Sequence, residues 1–161
     1  MTDDHAYRRG VGMMLINRDG LVWVGRRIDN RDEAWQMPQG GLDPGEEPWA
    51  GALRELEEET GIARHLVEKL ADHPRQLRYE LPEALAGTLW KGRYKGQLQD
   101  WFLARFLGED ADVDIATAHP EFSHWQWVEP TLLPELIVPF KRDMYRAIVD
   151  GFAEHLPSLR A

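Results

Sequence analysis

The sequence contains no cysteine. That excludes a disulfide framework, a thiolate nucleophile and a thiolate-ligated zinc site, although it does not by itself fix the compartment. Long apolar runs are lacking as well. The opening MTDDHAYRR carries acids and arginines and leads into no hydrophobic stretch of signal-peptide length, so neither a membrane span nor a secretion signal is expected and a cytoplasmic setting is. Basic charge is scarce: 19 Lys and Arg stand against 28 Asp and Glu, a net charge of −9 that argues against long-range attraction of a polyanion by the molecule as a whole. There are no internal repeats and no low-complexity tract.

What is present suffices for a packed core. The 161 residues, 43% hydrophobic and 10% aromatic, fit one domain spanning 1–161. Residues 11–17 (VGMMLIN) and 21–27 (LVWVGRR) are rich in β-formers and flank Asp19-Gly20, which predicts a β-hairpin. Residues 28–45 have loop chemistry around one extended piece at 35–37. A helix is expected over 46–60, with Trp49, Ala52, Leu53 and Leu56 at i, i+3, i+4 and i+7 and Gly61 placed for a left-handed cap. Strands are expected at 76–81, 100–107 and 124–128, an exposed basic and aromatic loop at 87–96, and a second helix over 140–155. The mixture implies an α+β or α/β sandwich.

The acids are unevenly placed. From Asp43 to Glu59 there are seven acids and only Arg54 as a base, so this segment holds most of the negative charge. Glu55, Glu58 and Glu59, related by i, i+3 and i+4, fall on one helix face. Like charges so spaced repel, and near a helix C-terminus they also oppose the macrodipole. A hard divalent cation would relieve both, because Mg²⁺ takes carboxylates together with waters and substrate phosphates. Arg54, four residues before Glu58, can orient a carboxylate. An acidic helix face is ordinarily solvated surface; here the preceding Gly40, Gly41 and Gly45 could bring backbone N–H groups close to a phosphate.

Gly40, Glu46, Arg54-Glu55-Leu56, Glu58-Glu59 and Gly61-Ile62 together resemble a complete Nudix box, nine positions agreeing in type and spacing over residues 40–62. The resemblance implies an α/β/α sandwich with a mixed central sheet and hydrolysis of a nucleoside diphosphate linked to another group. It implies a metal site at Gly40, Glu55, Glu58 and Glu59 with Arg54 as orienting arginine, Glu46 being supportive.

Outside the box, WQMPQGG (35–41), RYELP (78–82), HPEF and WQWV (119–128) and FKRDMYR (140–146) resemble the bacterial RNA pyrophosphohydrolase branch, related to diadenosine tetraphosphate hydrolases. That branch removes pyrophosphate from 5′-triphosphorylated RNA and so triggers message decay. Arg27, Tyr79, Phe140 and Lys141 offer planar and cationic groups suited to bases and phosphates, and the resemblance adds Arg8 near the phosphates and Glu121 as a further metal ligand. Individually, Tyr79 and Phe140 read as core aromatics and Arg27 and Lys141 as surface charge; their joint occurrence with the box favours binding. Two or three Mg²⁺ ions, or Mn²⁺, are implied, with Glu58, Glu59 or Glu121 as general base and Arg54 in support. The expected partner is 5′-triphosphorylated RNA or a dinucleoside polyphosphate, with neither DNA nor membrane, and a monomer is favoured. A nucleotide-sensing module without catalysis and an acidic interaction protein are the rivals from other classes. The loop at 28–34 (IDNRDEA), longer and more acidic than in enteric forms, bears on preference for the second nucleotide.

Overall fold

The computed structural model describes residues 6–28, 34–118 and 120–156. Most of the acidic 28–34 loop and His119 of the HPEF stretch therefore lie outside the described residues. One mixed sheet contains β1 (Tyr7–Ile16), β2 (Val22–Arg27), β3 (Trp35–Gln36), β4 (Gln39–Gly41), β5 (Val67–Asp72), β6 (Leu77–Glu80), β7 (Gly96–Phe106) and β8 (Phe122–Val128). The helices are α1 (Pro48–Thr60), α2 (Glu83–Ala86), α3 (Leu133–Leu136) and α4 (Arg142–Phe152).

The central strands are buried on both faces, which is why VGMMLIN reads as a continuous apolar run without alternation. Val11, Met13 and Leu15 of β1 and Phe102, Ala104 and Phe106 of β7 meet Ala52, Leu53 and Leu56 of α1. Met14, Ile16, Trp101 and Leu103 point the other way, toward Met144, Tyr145, Ile148 and Phe152 of α4. The result is the expected α/β/α sandwich. No helix among the described residues is long and apolar enough to cross a membrane.

The hairpin is narrower than its sequence suggests. β1 and β2 pair only at Ile16↔Val22, and the principal partner of β1 is β7, parallel from Tyr7↔Gly96 to Ile16↔Arg105. With β8 along one edge of β2 from Val22 to Arg27, β1 and β2 part along the other. The wedge between them is filled by β3 against Gly25 and Arg26 and β4 against Gly10, Val11 and Gly12. Gly40 and Gly41 thus stand in a paired strand rather than in a free phosphate loop, a correction to the sequence reading.

Other boundaries move for identifiable reasons. α1 begins at Pro48, not 46, because Glu47 is its N-cap, accepting from the Ala50 amide at 2.9 Å. It ends at Gly61 with φ 72° as expected. β7 starts at Gly96 rather than 100 because its first polar residues, Gln97 and Gln99, are buried and bonded to each other and to Gln39 and Trp101. A 3-10 turn, Pro139–Lys141, precedes α4.

Candidate active site

The last turns of α1 are organised by Arg54. Its guanidinium grips Glu46 with two bonds of 2.8 Å, from Nε and Nη2, a bidentate geometry that fixes orientation as well as charge. Nη2 also donates to the Gly41 carbonyl at 3.0 Å, and Nη1 donates to Glu55 at 3.0 Å and to Glu58 at 3.2 Å. Hydrogen bonding from Arg54 holds the Glu46 carboxyl down at about 2. Glu46 is thereby the anchor of Arg54, and Arg54 in turn orients two of the expected metal ligands.

Glu55 packs against Gly40. A Cβ at position 40 would lie 2.1 Å from the Glu55 carboxyl carbon, so only glycine leaves room for the carboxylate over β4. Burial raises the Glu55 pKa to about 7 despite Arg54 beside it. One turn on, Glu59 is 1% exposed, and neither of its carboxylate oxygens has a hydrogen-bond partner among the described residues. Burial, then the charges of Glu121 and Glu55, push its pKa well above the usual range. Glu58 differs, its side chain being 59% exposed. It lines a depression beside the cleft together with Arg64, Thr117 and Glu121.

Glu121 enters from the start of β8. A register shift between Arg26 and Arg27 marks where β2 and β8 lose regular pairing, the Ile28 amide donates to the Glu121 carbonyl at 2.9 Å, and Arg27 Nη1 approaches Glu121 Oε2 at 3.6 Å. Such irregularities re-aim side chains at the rim of a site.

One cleft of about 730 Å³ is lined by all five expected substrate residues, Arg8, Arg27, Tyr79, Phe140 and Lys141, together with Gly40, Glu55, Glu59 and Glu121. Tyr79 and Phe140 stand 5.8 Å apart between ring centroids, and the Lys141 ammonium lies 4.7 Å from the Tyr79 centroid. Burial, followed by the Arg27 charge, lowers the Lys141 pKa to about 8. The sequence did not single out Gln36, Leu85, Leu89, Trp90 or Val138, which also line the walls. Gln36 carries a buried Nε2 without a partner among the described residues, and its signal was only its place between Trp35 and the glycines.

The donor set suits a hard divalent cation: the buried Glu59, whose oxygens are uncommitted, the half-buried Glu55, partly committed to Arg54, and two more acids at the cleft margin. Among the described residues no group of three acidic or histidine side chains is close enough to enclose an ion unaided.

The model of the NUDIX domain matches residues 6–148. An RNA pyrophosphohydrolase of Erythrobacter litoralis is 59% identical over 152 residues, covering 93% of both chains, and one of Zymomonas mobilis is 50% identical over 154 residues, covering 96% of this chain and 99% of the relative. Among solved structures, a C. elegans Ap4A hydrolase in a binary complex has a TM-score of 0.65 at 21% identity, covering 91% of this chain and 98% of that one. The E. coli dihydroneopterin triphosphate pyrophosphohydrolase has a TM-score of 0.68 at 19% identity over 90% and 96%; these two likenesses are of fold. With the box intact from Gly40 to Ile62 and the match running through nearly all of the sheet and both flanking layers, the chain belongs to the Nudix family.

Proposed function

We propose that this protein is an RNA pyrophosphohydrolase, a one-domain hydrolase that removes pyrophosphate from the 5′-triphosphate end of RNA, leaves a 5′-monophosphate and so promotes decay of the message in the cytoplasm. The observation that carries the reading is the shared cleft: Glu55 and Glu59 open onto the same space as Tyr79, Phe140, Lys141 and Arg27. Carboxylates for metal beside aromatic and cationic groups for a nucleotide are what hydrolysis at a nucleic-acid end requires. Relatives named RNA pyrophosphohydrolase at 50–59% identity over nearly the whole chain support it further.

Glu55, Glu58, Glu59 and Glu121 would hold two or three Mg²⁺ or Mn²⁺ ions. When bound, such ions neutralise charge on the phosphate chain and acidify water for attack on phosphorus. Arg8 and Arg27 add fixed positive charge where the oligophosphate enters, and Lys141 adds a further charge when protonated. Tyr79 and Phe140 present ring faces to the leading bases. Glu58, Glu59 and Glu121 are the candidates to take the proton of the attacking water, and Arg54, which touches Glu55 and Glu58 rather than the cleft, positions them. Gly40 contributes by lacking a side chain.

A second reading, dinucleoside polyphosphate hydrolysis, is favoured by the same aromatic pair, since a cleft of about 730 Å³ could receive a second adenosine. The deciding experiment compares triphosphorylated RNA with diadenosine tetraphosphate at equal concentration, with Mg²⁺ and with chelator. Rapid, chelator-sensitive release of pyrophosphate from RNA is expected; RNA barely processed beside fast nucleotide turnover would favour the second reading, and no turnover of either would favour a sensing module.

A further inference from the structure

Of the segment joining β6 to β7, Leu85, Leu89 and Trp90 face the catalytic cleft; the remainder has no part in hydrolysis as derived above. Residues 87–96 carry Lys91, Arg93 and Lys95, no acid, and the aromatics Trp90 and Tyr94. Both ends are pinned. The Leu81 amide donates to the Lys95 carbonyl at 2.7 Å and the Lys95 amide to the Ala6 carbonyl at 2.8 Å. Gly96 lies so close to β6 that a Cβ there would sit 1.9 Å from the Tyr79 carbonyl oxygen. Within this frame Trp90 adopts φ 50°, the one positive φ of a non-glycine among the described residues, a conformation that costs an L residue energy and persists where the surroundings impose it.

The constrained backbone sets aromatic planes among cations. The Trp90 ring has the Arg8 guanidinium 5.4 Å from its centroid and Tyr94 edge-on at 6.0 Å. Arg93 lies 5.5 Å from the Tyr94 ring and Lys95 5.5 Å from that of Tyr7. Arg8 lines the catalytic cleft and also a separate depression of about 600 Å³, which has Tyr7, Arg9 and Tyr94 in its walls. One arginine therefore divides two contiguous spaces. The acids on the depression, Asp43 and Glu46, are drawn toward Arg54, at 3.7 and 2.8 Å.

We propose that the Trp90 wall of the cleft and this depression, joined at Arg8, form a track for single-stranded RNA downstream of the leading nucleotides, with bases stacking on Trp90 and then Tyr94 and phosphates meeting Arg8 and the cations seated on the depression's rings, Arg93 on Tyr94 and Lys95 on Tyr7. Interleaved ring faces and cations are the means by which proteins hold single strands without reading sequence. The track gives a chain of net charge −9 a local counter-field for a polyanion its acids would otherwise repel. It rests on RNA being the substrate.

The test measures binding of 3′-fluorescent, 5′-monophosphorylated RNAs of about two and about ten nucleotides, the longer chosen to span a typical single-strand site. Wild-type protein should bind the longer RNA at least about tenfold more tightly. Tyr94→Ala and, separately, the exposed Arg93→Ala should each remove roughly fivefold or more of that advantage and leave dinucleotide affinity unchanged, and Arg93→Ala alone should also flatten the salt dependence for the long RNA. Equal affinity of the wild type for both lengths, or variants that weaken both RNAs alike, overturns the track. The two readings fail separately: length-dependent binding without hydrolysis of triphosphorylated RNA supports the track and sinks the enzymatic reading, whereas hydrolysis with length-independent binding overturns the track alone.

Discussion

The carboxylate of Glu55 occupies the space in which a side chain at residue 40 would stand, 2.1 Å from the position of its Cβ. Gly40→Ala must therefore move either Glu55 or β4. Because β4 is held by β1 across Gly10 to Gly12, the side chain is the part that yields. Turnover should fall about 100-fold, the usual consequence of a misplacement near 1 Å, while circular dichroism stays native. Near-normal turnover would show that the Glu55 position is not critical.

Arg54→Lys retains the charge and removes the fork. A lysine cannot bond Glu46 twice while also reaching Gly41, Glu55 and Glu58. Mg²⁺ affinity or turnover should drop roughly 10- to 100-fold, as for other partners that orient metal ligands. Titration of Mg²⁺ against activity reads this out, and an unchanged midpoint and maximum would count against the positioning role.

Glu58→Gln should lower turnover about 100- to 10,000-fold, the range for loss of a group that moves a proton or holds a catalytic ion. Its side chain is 59% exposed, so the melting temperature should stay within a few degrees of wild type, about the shift for 1 kcal/mol in a domain of this size. An active Glu58→Gln would remove that residue from the catalytic set.

Metal-free protein should lose stability as pH rises. A carboxyl whose pKa increases on folding binds its proton more tightly in the native state, so its contribution is complete below the unfolded value and is lost as pH climbs through the folded one. For Glu55 that window runs from 4.5 to about 7, and Glu59, raised in the same direction, loses stability upward from 4.5 as well. Lys141 has the opposite sign: with its pKa lowered from 10.5 to about 8, its contribution is present above 10.5 and already lost below about 8. Melting curves in chelator should thus fall between about pH 5 and pH 7, with Mg²⁺ restoring most at the alkaline end. Glu59→Gln should flatten the curve and raise its alkaline end while abolishing the Mg²⁺ response; a wild-type profile already flat in chelator would contradict the assigned burial effects.

The box was legible because its positions do local work that spacing records: Glu46 and Arg54 clasp each other, Gly61 adopts the left-handed cap, and Glu55 and Glu59 share a helix face. The partner of Gly40 was not legible, since the fit to Glu55 depends on β4 lying beneath α1. Five residues named from the sequence line one cleft, but its walls at Gln36, Leu85 and Trp90 come from segments distant in sequence. β5 escaped notice because its residues are half-exposed or exposed, and its pairing with β7 breaks register between Lys69 and Ala71. The first residues of β7 were hidden by glutamines that satisfy one another inside the sheet.

The parallel pairing of β1 with β7 joins the beginning of the chain to a strand made only after the helix carrying the acids. Closing that pair requires a long loop to be ordered before its contacts repay the entropy, a topology that slows folding. On the ribosome, α1 and its glutamates would emerge well before β7 could complete the layer beneath them. Competence for hydrolysis would then arrive late in synthesis, when the central strand docks.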